Sequence, residues 1–163
     1  MSATKSPLPA ALEVRELFEG LLGRDIAAEV GTAPVDPIKP GGAIVAAYVD
    51  DMLGLKALVL MDLALAARSG AAIALLPSAS AESVVESGLI TPVLYDNAAE
   101  ILNIMASLFN LEGAPHVRLY EAYAPRETLP ADIQKWTMAY VPRLDMELDI
   151  TGYGAGTISL LII

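Results

Sequence analysis

The chain has 163 residues, 55% of them hydrophobic and 18% charged, with twenty acids against ten bases and a formal charge of −10. That is enough apolar material for the core of one domain, and it excludes both a disordered chain and a general binder of phosphate backbones. With no cysteine and a single histidine, disulfides, zinc–thiolate sites, cysteine nucleophiles and multi-histidine metal sites are excluded as well.

The most apolar region, 43–76, is interrupted by Asp50, Asp51, Lys56, Asp62 and Arg68. No window of about 18 uncharged residues is left to cross a bilayer. The first nine residues lack the apolar run of a secretory signal, so a soluble, cytoplasmic protein is expected, without membrane insertion.

In chain order, Pro9 to Gly23 reads as an amphipathic helix, with Val14, Leu17, Phe18, Leu21 and Leu22 on one arc and Glu13, Glu16 and Gly20 on the other. Ile26 to Val30 is a short strand, and the proline- and glycine-bearing stretch 32–42 is a loop. Ala43–Val49 and Leu53–Met61 are almost continuously apolar, as central strands are, and Asp50-Asp51 between them suggests a hairpin. Asp62 can cap an alanine-rich helix to about Leu75, and a short helix ends near Gly88. Pro92 starts or kinks the next element, and Asp96 is the expected cap of a helix to about Asn110.

Beyond it, Val117–Tyr123 and Lys135–Val141 read as strands. Leu144, Met146, Leu148 and Ile150 alternate with Asp145, Glu147 and Asp149, a half-buried strand whose partner, Thr157–Ile163, returns after the glycine-rich turn 151–156. The order helix, strand, proline-bearing loop, strand, turn, strand occurs over 9–61 and again over 96–163. An internal two-fold repeat within a single α+β domain spanning 1–163 is expected, its antiparallel-rich sheet packed against long helices.

The chemistry-bearing pattern lies on the helix after Pro92. On a wheel of about 100° per residue, Ile101, Leu102, Met105, Leu108 and Phe109 face the core, while Asp96, Glu100, Asn103, Ser107 and Asn110 form a polar stripe opposite. A solvated face explains most such stripes. The spacing Glu100-x-x-Asn103-x-x-x-Ser107, however, resembles the E-x-x-N-x-x-x-G helix motif of the CheC/CheX/FliY family, phosphatases of phosphorylated chemotaxis response regulators. Aliphatic Ile101, Ile104 and Met105 stand where that family places them, and the glycine-rich hairpin and doubled layout are similar too.

The resemblance implies a phosphatase that hydrolyses the aspartyl-phosphate of a receiver domain. Asn103 would orient the attacking water, and Glu100 would pair with a receiver cation. Asp96, Ser107 and Asn110 would contact the partner. A neutral amide suits the first role because it accepts from and donates to water without adding charge beside the phosphoryl oxygens. The chain would need no cofactor of its own, because Mg2+ is expected on the receiver. The first helix carries Glu13-x-x-Glu16-x-x-x-Gly20, a degenerate second site with a carboxylate in place of the amide, which makes the single-site CheX-like members the nearer comparison. A homodimer is a further implication. Ser107 in place of the motif glycine points to the alternative, a non-catalytic CheX-like interaction module of two-component signalling.

Other patterns have simpler readings. His116 has no triad context, and Gly152-x-Gly154-x-Gly156 leads into a strand rather than a helix, as a hairpin does and a phosphate loop does not. Asp145, Glu147 and Asp149 read as outward charges on an exposed sheet face rather than a metal site, and Trp136 as core filling.

Overall fold

The computed structural model describes residues 5–163. Its elements in order are α1 (Ala11–Leu22), β1 (Ile26–Val30), β2 (Ala43–Val49), β3 (Leu55–Asp62), α2 (Leu63–Ile73), α3 (Ser78–Ser87), α4 (Pro92–Met105), a 3-10 turn (Ala106–Phe109), β4 (Arg118–Tyr123), α5 (Ala131–Gln134), β5 (Arg143–Ile150) and β6 (Gly154–Ile162). The six strands form one antiparallel sheet in the order β1-β5-β6-β3-β2-β4. Exchanging β1 with β4, β2 with β5 and β3 with β6 returns the same order read backwards. The pseudo-dyad of the sheet passes between β3 and β6, where Val59 pairs with Leu160.

The sheet is covered on both faces, and this explains why β2 is buried at every position. On one face Ile44, Ala46 and Tyr48 of β2 join Val59, Met61, Ile158, Leu160 and the alternating β5 residues Leu144, Met146, Leu148 and Ile150 against α1, α2 and α4. On the other, Val45, Ala47, Leu58, Leu60 and Leu161 pack under Val35 of the loop before β2, Ile133 of α5 and Trp136 of the turn after it. Helix α2 lies over β6 so closely that a Cβ on Gly156 would stand 2.4 Å from the backbone of Leu65. Gly152 and Gly154 adopt positive φ at the hairpin that precedes this approach. The glycine repeat thus serves a turn and a helix crossing.

Local chemistry sets the ends of the elements. Asp62 caps α2 by accepting from the Leu65 amide at 2.8 Å. Burial pushes this carboxyl above its ordinary range, partly offset by the Leu65 and Thr157 amides. Gly23 and Gly88 close α1 and α3 in the left-handed conformation.

Three expectations are corrected. The long helix begins at Pro92, four residues before Asp96, because Thr91 supplies the cap and proline favours the first helical position. Lys135–Val141 is not a strand: Trp136, Thr137 and Ala139 donate backwards to Ile133, Gln134 and Trp136, so these amides close tight turns after α5 instead of a ladder. The acidic row on β5 is not uniformly solvated. Ser159 donates to Asp145 at 2.5 Å, Arg143 pairs with the same carboxylate at 3.0 Å, and Ser159 also accepts from the Val35 amide. Asp145 therefore belongs to a network that ties the proline-rich loop to the sheet. Among the described residues, no three of His, Asp and Glu converge as a metal site would require, and no helix is long and apolar enough to cross a membrane.

Candidate functional site on helix α4

Helix α4 is fixed from its inner side. Leu94, Ala98, Ile101, Leu102 and Met105 are buried, and burying each of the larger ones stabilises by about 1.5–3 kcal/mol. The helix approaches α2 so closely that a Cβ on Gly70 would meet the Leu94 carbonyl oxygen at 2.6 Å. Beside this crossing the Asn97 amide donates to the Gly70 carbonyl at 2.9 Å. The Tyr95 hydroxyl donates to the Ala122 carbonyl of β4 at 2.8 Å. Burial, followed by Glu127, Glu121 and Asp96, pushes this phenol above its ordinary range.

The far end of the helix is held by Tyr48. The Ala106 amide bonds to the Asn103 and Ile104 carbonyls, as the backbone tightens into the 3-10 turn. The fully buried Tyr48 hydroxyl donates to the Leu102 carbonyl at 2.6 Å, one residue before Asn103. Its ring packs on Phe109 with centroids 5.2 Å apart. The end of α4 is therefore pinned from the sheet.

The outer side carries the polar stripe. Asp96, Glu100, Asn103 and Ser107 are all exposed, and Glu100 and Asn103 stand one helical turn apart on a common face. An exposed carboxylate and amide at this spacing can present acceptors to a cation while the amide both accepts from and donates to water. Ser107 lies in the 3-10 turn, so it does not continue the α-helical spacing of the two residues before it. Val93 is also exposed, two helical turns before Glu100; seven-residue spacing was its sequence signal.

Asn110 is placed differently. It is half-buried, its Nδ2 donates to the Val117 carbonyl at 2.9 Å, and its Oδ1 accepts from the Val117 amide at 2.8 Å. This pairing fastens the loop after the helix and leaves the amide engaged within the chain. On α1, Glu13 and Glu16 are exposed, and Glu13 accepts from the Ala10 amide at 3.0 Å, a helix-capping role. Sequence reasoning missed Tyr48, Tyr95 and Asn97 as anchors. Only Asn97 left a signal, an amide on the inward flank of the wheel.

A cleft of about 630 Å3 lies elsewhere, between the loop 33–42, the start of α2 and the end of α3, and none of the stripe residues lines it.

No model of a known protein family and no curated protein matches the sequence. Solved structures do. The FliM middle domain of H. pylori superposes with a TM-score of 0.60 at 7% identity, over 93% of this chain and 84% of that one. Thermotoga maritima FliY gives 0.58 at 18% identity, over 91% and 81%. A chain of the CheX–CheY–BeF3–Mg2+ complex of Borrelia burgdorferi gives 0.52 at 9% identity, over 94% and 97%. Likenesses at such low identity speak to architecture, and the architecture here, a six-stranded antiparallel sheet under α1, α2 and α4, is the CheC/CheX/FliY fold.

Proposed function

We propose that the chain is a phosphatase that hydrolyses the aspartyl-phosphate of a response-regulator receiver domain, with Glu100 and Asn103 as its site. The observation that carries this reading is the presentation of these two residues, exposed one turn apart, on a helix whose opposite side is anchored to α2, β2 and β4. Support comes from the shared fold with a structure in which CheX is in complex with CheY, BeF3 and Mg2+.

In the proposed reaction the Asn103 amide oxygen accepts from a water held in line with the bond to be broken. The new bond joins that water oxygen to phosphorus, the phosphorus–oxygen bond to the receiver aspartate breaks, and inorganic phosphate leaves. The receiver brings the phosphoryl group and its Mg2+, so the chain supplies position rather than a nucleophile or metal. Glu100 pairs with a cation of the receiver and sets the docking. Asp96 and Ser107 extend that contact surface. On α1, Glu16 would bring negative charge towards the phosphoryl oxygens, so that half is inactive in this reading.

A specific observation favours a second reading. Ser107 stands in a 3-10 turn, and another solved neighbour is the FliG–FliM complex of H. pylori, matched with a TM-score of 0.59 at 8% identity. A non-catalytic module that binds its partner through the same helix face accounts for both facts. The two readings separate in one assay, in which the chain is mixed with phosphorylated receivers and both complex formation and phosphate release are followed. Faster release supports the phosphatase. Stable complexes with unchanged release support the module and remove the catalytic role.

A further inference from the structure

A second surface lies on the sheet face away from α1, α2 and α4. Here a groove of about 280 Å3 is lined by Val49, Leu53, Leu55, Tyr120, Tyr123 and Asp132, with Ile133 at its floor. Leu53 is 59% exposed and Tyr120 56%, although both are large and apolar in body. Leu53 also has φ of 63°, a conformation that a branched side chain adopts at a cost. Asp50 holds it there: its Oδ1 accepts from the Met52 and Gly54 amides at 3.0 and 2.9 Å, and its carbonyl accepts from the Leu53 amide. The turn spends backbone strain to keep an aliphatic side chain at the rim of an apolar groove.

The one charged residue that lines the groove is an acid, while Arg118 stands opposite Val49 across β2 and β4 and Lys56 pairs with Asp50 at 3.6 Å. Asp132 is that acid, and Glu121 and Glu127 act on Tyr123 with the same sign as Asp132, adding to burial in pushing that phenol above its ordinary range. Two tyrosine rings beside a carboxylate attract a cation, and Val49, Leu53 and Leu55 suit an aliphatic stem.

We propose that this groove seats a lysine or arginine side chain presented by an extended segment of a partner protein. The stem of that side chain lies along Val49 and Leu53, and its cationic head meets the faces of Tyr120 and Tyr123 and the carboxylate of Asp132.

The test is a titration of the 15N-labelled chain with short uncharged-flank peptides that differ only at a central Lys, Arg, Gln or Glu. The expected result is saturable movement of the Leu53, Tyr120 and Ile133 amide signals with the Lys and Arg peptides, about fivefold weaker binding with Gln, and none with Glu. Asp132→Asn and Tyr120→Ala, both at exposed positions, should each weaken the Arg peptide about fivefold. Equal binding of Gln and Arg peptides, signals moving elsewhere, or no binding by any peptide would overturn the proposal. So would movement of the groove signals with protein concentration alone, which would assign the surface to a second copy.

Discussion

Tyr48 and Asn103 divide the work of one helix end. The Tyr48 hydroxyl is buried and bonded to the Leu102 carbonyl, whereas Asn103, the next residue, faces outward. Removing the hydroxyl with Tyr48→Phe leaves a buried carbonyl without that donor, at an expected cost of about 1–2 kcal/mol in urea unfolding. Alanine at Glu100 or Asn103 should shift the same midpoint by less than about 0.5 kcal/mol, because neither side chain is buried. A large loss on Asn103→Ala would mean that the residue serves the fold. The outward stripe was legible in the sequence because helical periodicity alone decides which residues share a face. Asn110 was misjudged because it falls beyond the regular helix, where the wheel no longer describes direction and the amide instead closes on Val117. The role of Tyr48 could not be read, since its partner Leu102 lies 54 positions further along the chain.

At the scale of elements, glycine marks where backbones meet. A Cβ on Gly70 would lie 2.6 Å from the Leu94 carbonyl oxygen, so Gly70→Ala must push α4 away from α2. The expected destabilisation is about 1–3 kcal/mol. Gly20 on the outer side of α1 has nothing within 4 Å of such a Cβ, and Gly20→Ala should stabilise by up to about 1 kcal/mol through helix propensity. Thermal or urea unfolding of the two variants checks both signs, and equal effects would contradict the packing account. The β2–β3 and β5–β6 hairpins and the Asp62 cap were legible because apolar run, turn chemistry and cap agree locally. Lys135–Val141 was not. Its apolar residues carry no helix or strand period of their own, and Ile133 and Trp136 are drawn to the sheet as neighbours in a tight turn.

The whole molecule is a sheet whose two edges are the short strands of the repeat. In β1 four of five residues are exposed, and every residue of β4 is exposed or half-buried; neither strand has a neighbour on its outer side, although Glu19 accepts from the Ile26 amide and Tyr95 donates to the Ala122 carbonyl. The homodimer that the resemblance implies would bury such an edge, and light scattering over a concentration series should then show mass rising to that of two chains; monomer throughout would contradict it. The overall charge of −10 says little about where the proposed receiver would dock, because acids are spread over both halves, including the groove beneath β2 and β4. The position of α4 is more informative. Its inner side is buried and bonded to α2, β2 and β4, while a carboxylate and an amide stand outside. The central claim is therefore tested most directly by phosphate release from a phosphorylated receiver in the presence of the chain, its Asn103→Ala variant and its Glu100→Ala variant. The account predicts that wild type accelerates release, that Asn103→Ala lowers the maximal rate about a hundredfold with binding retained, and that Glu100→Ala chiefly raises the receiver concentration required. Equal release with wild type and Asn103→Ala, or no acceleration by either, would contradict it.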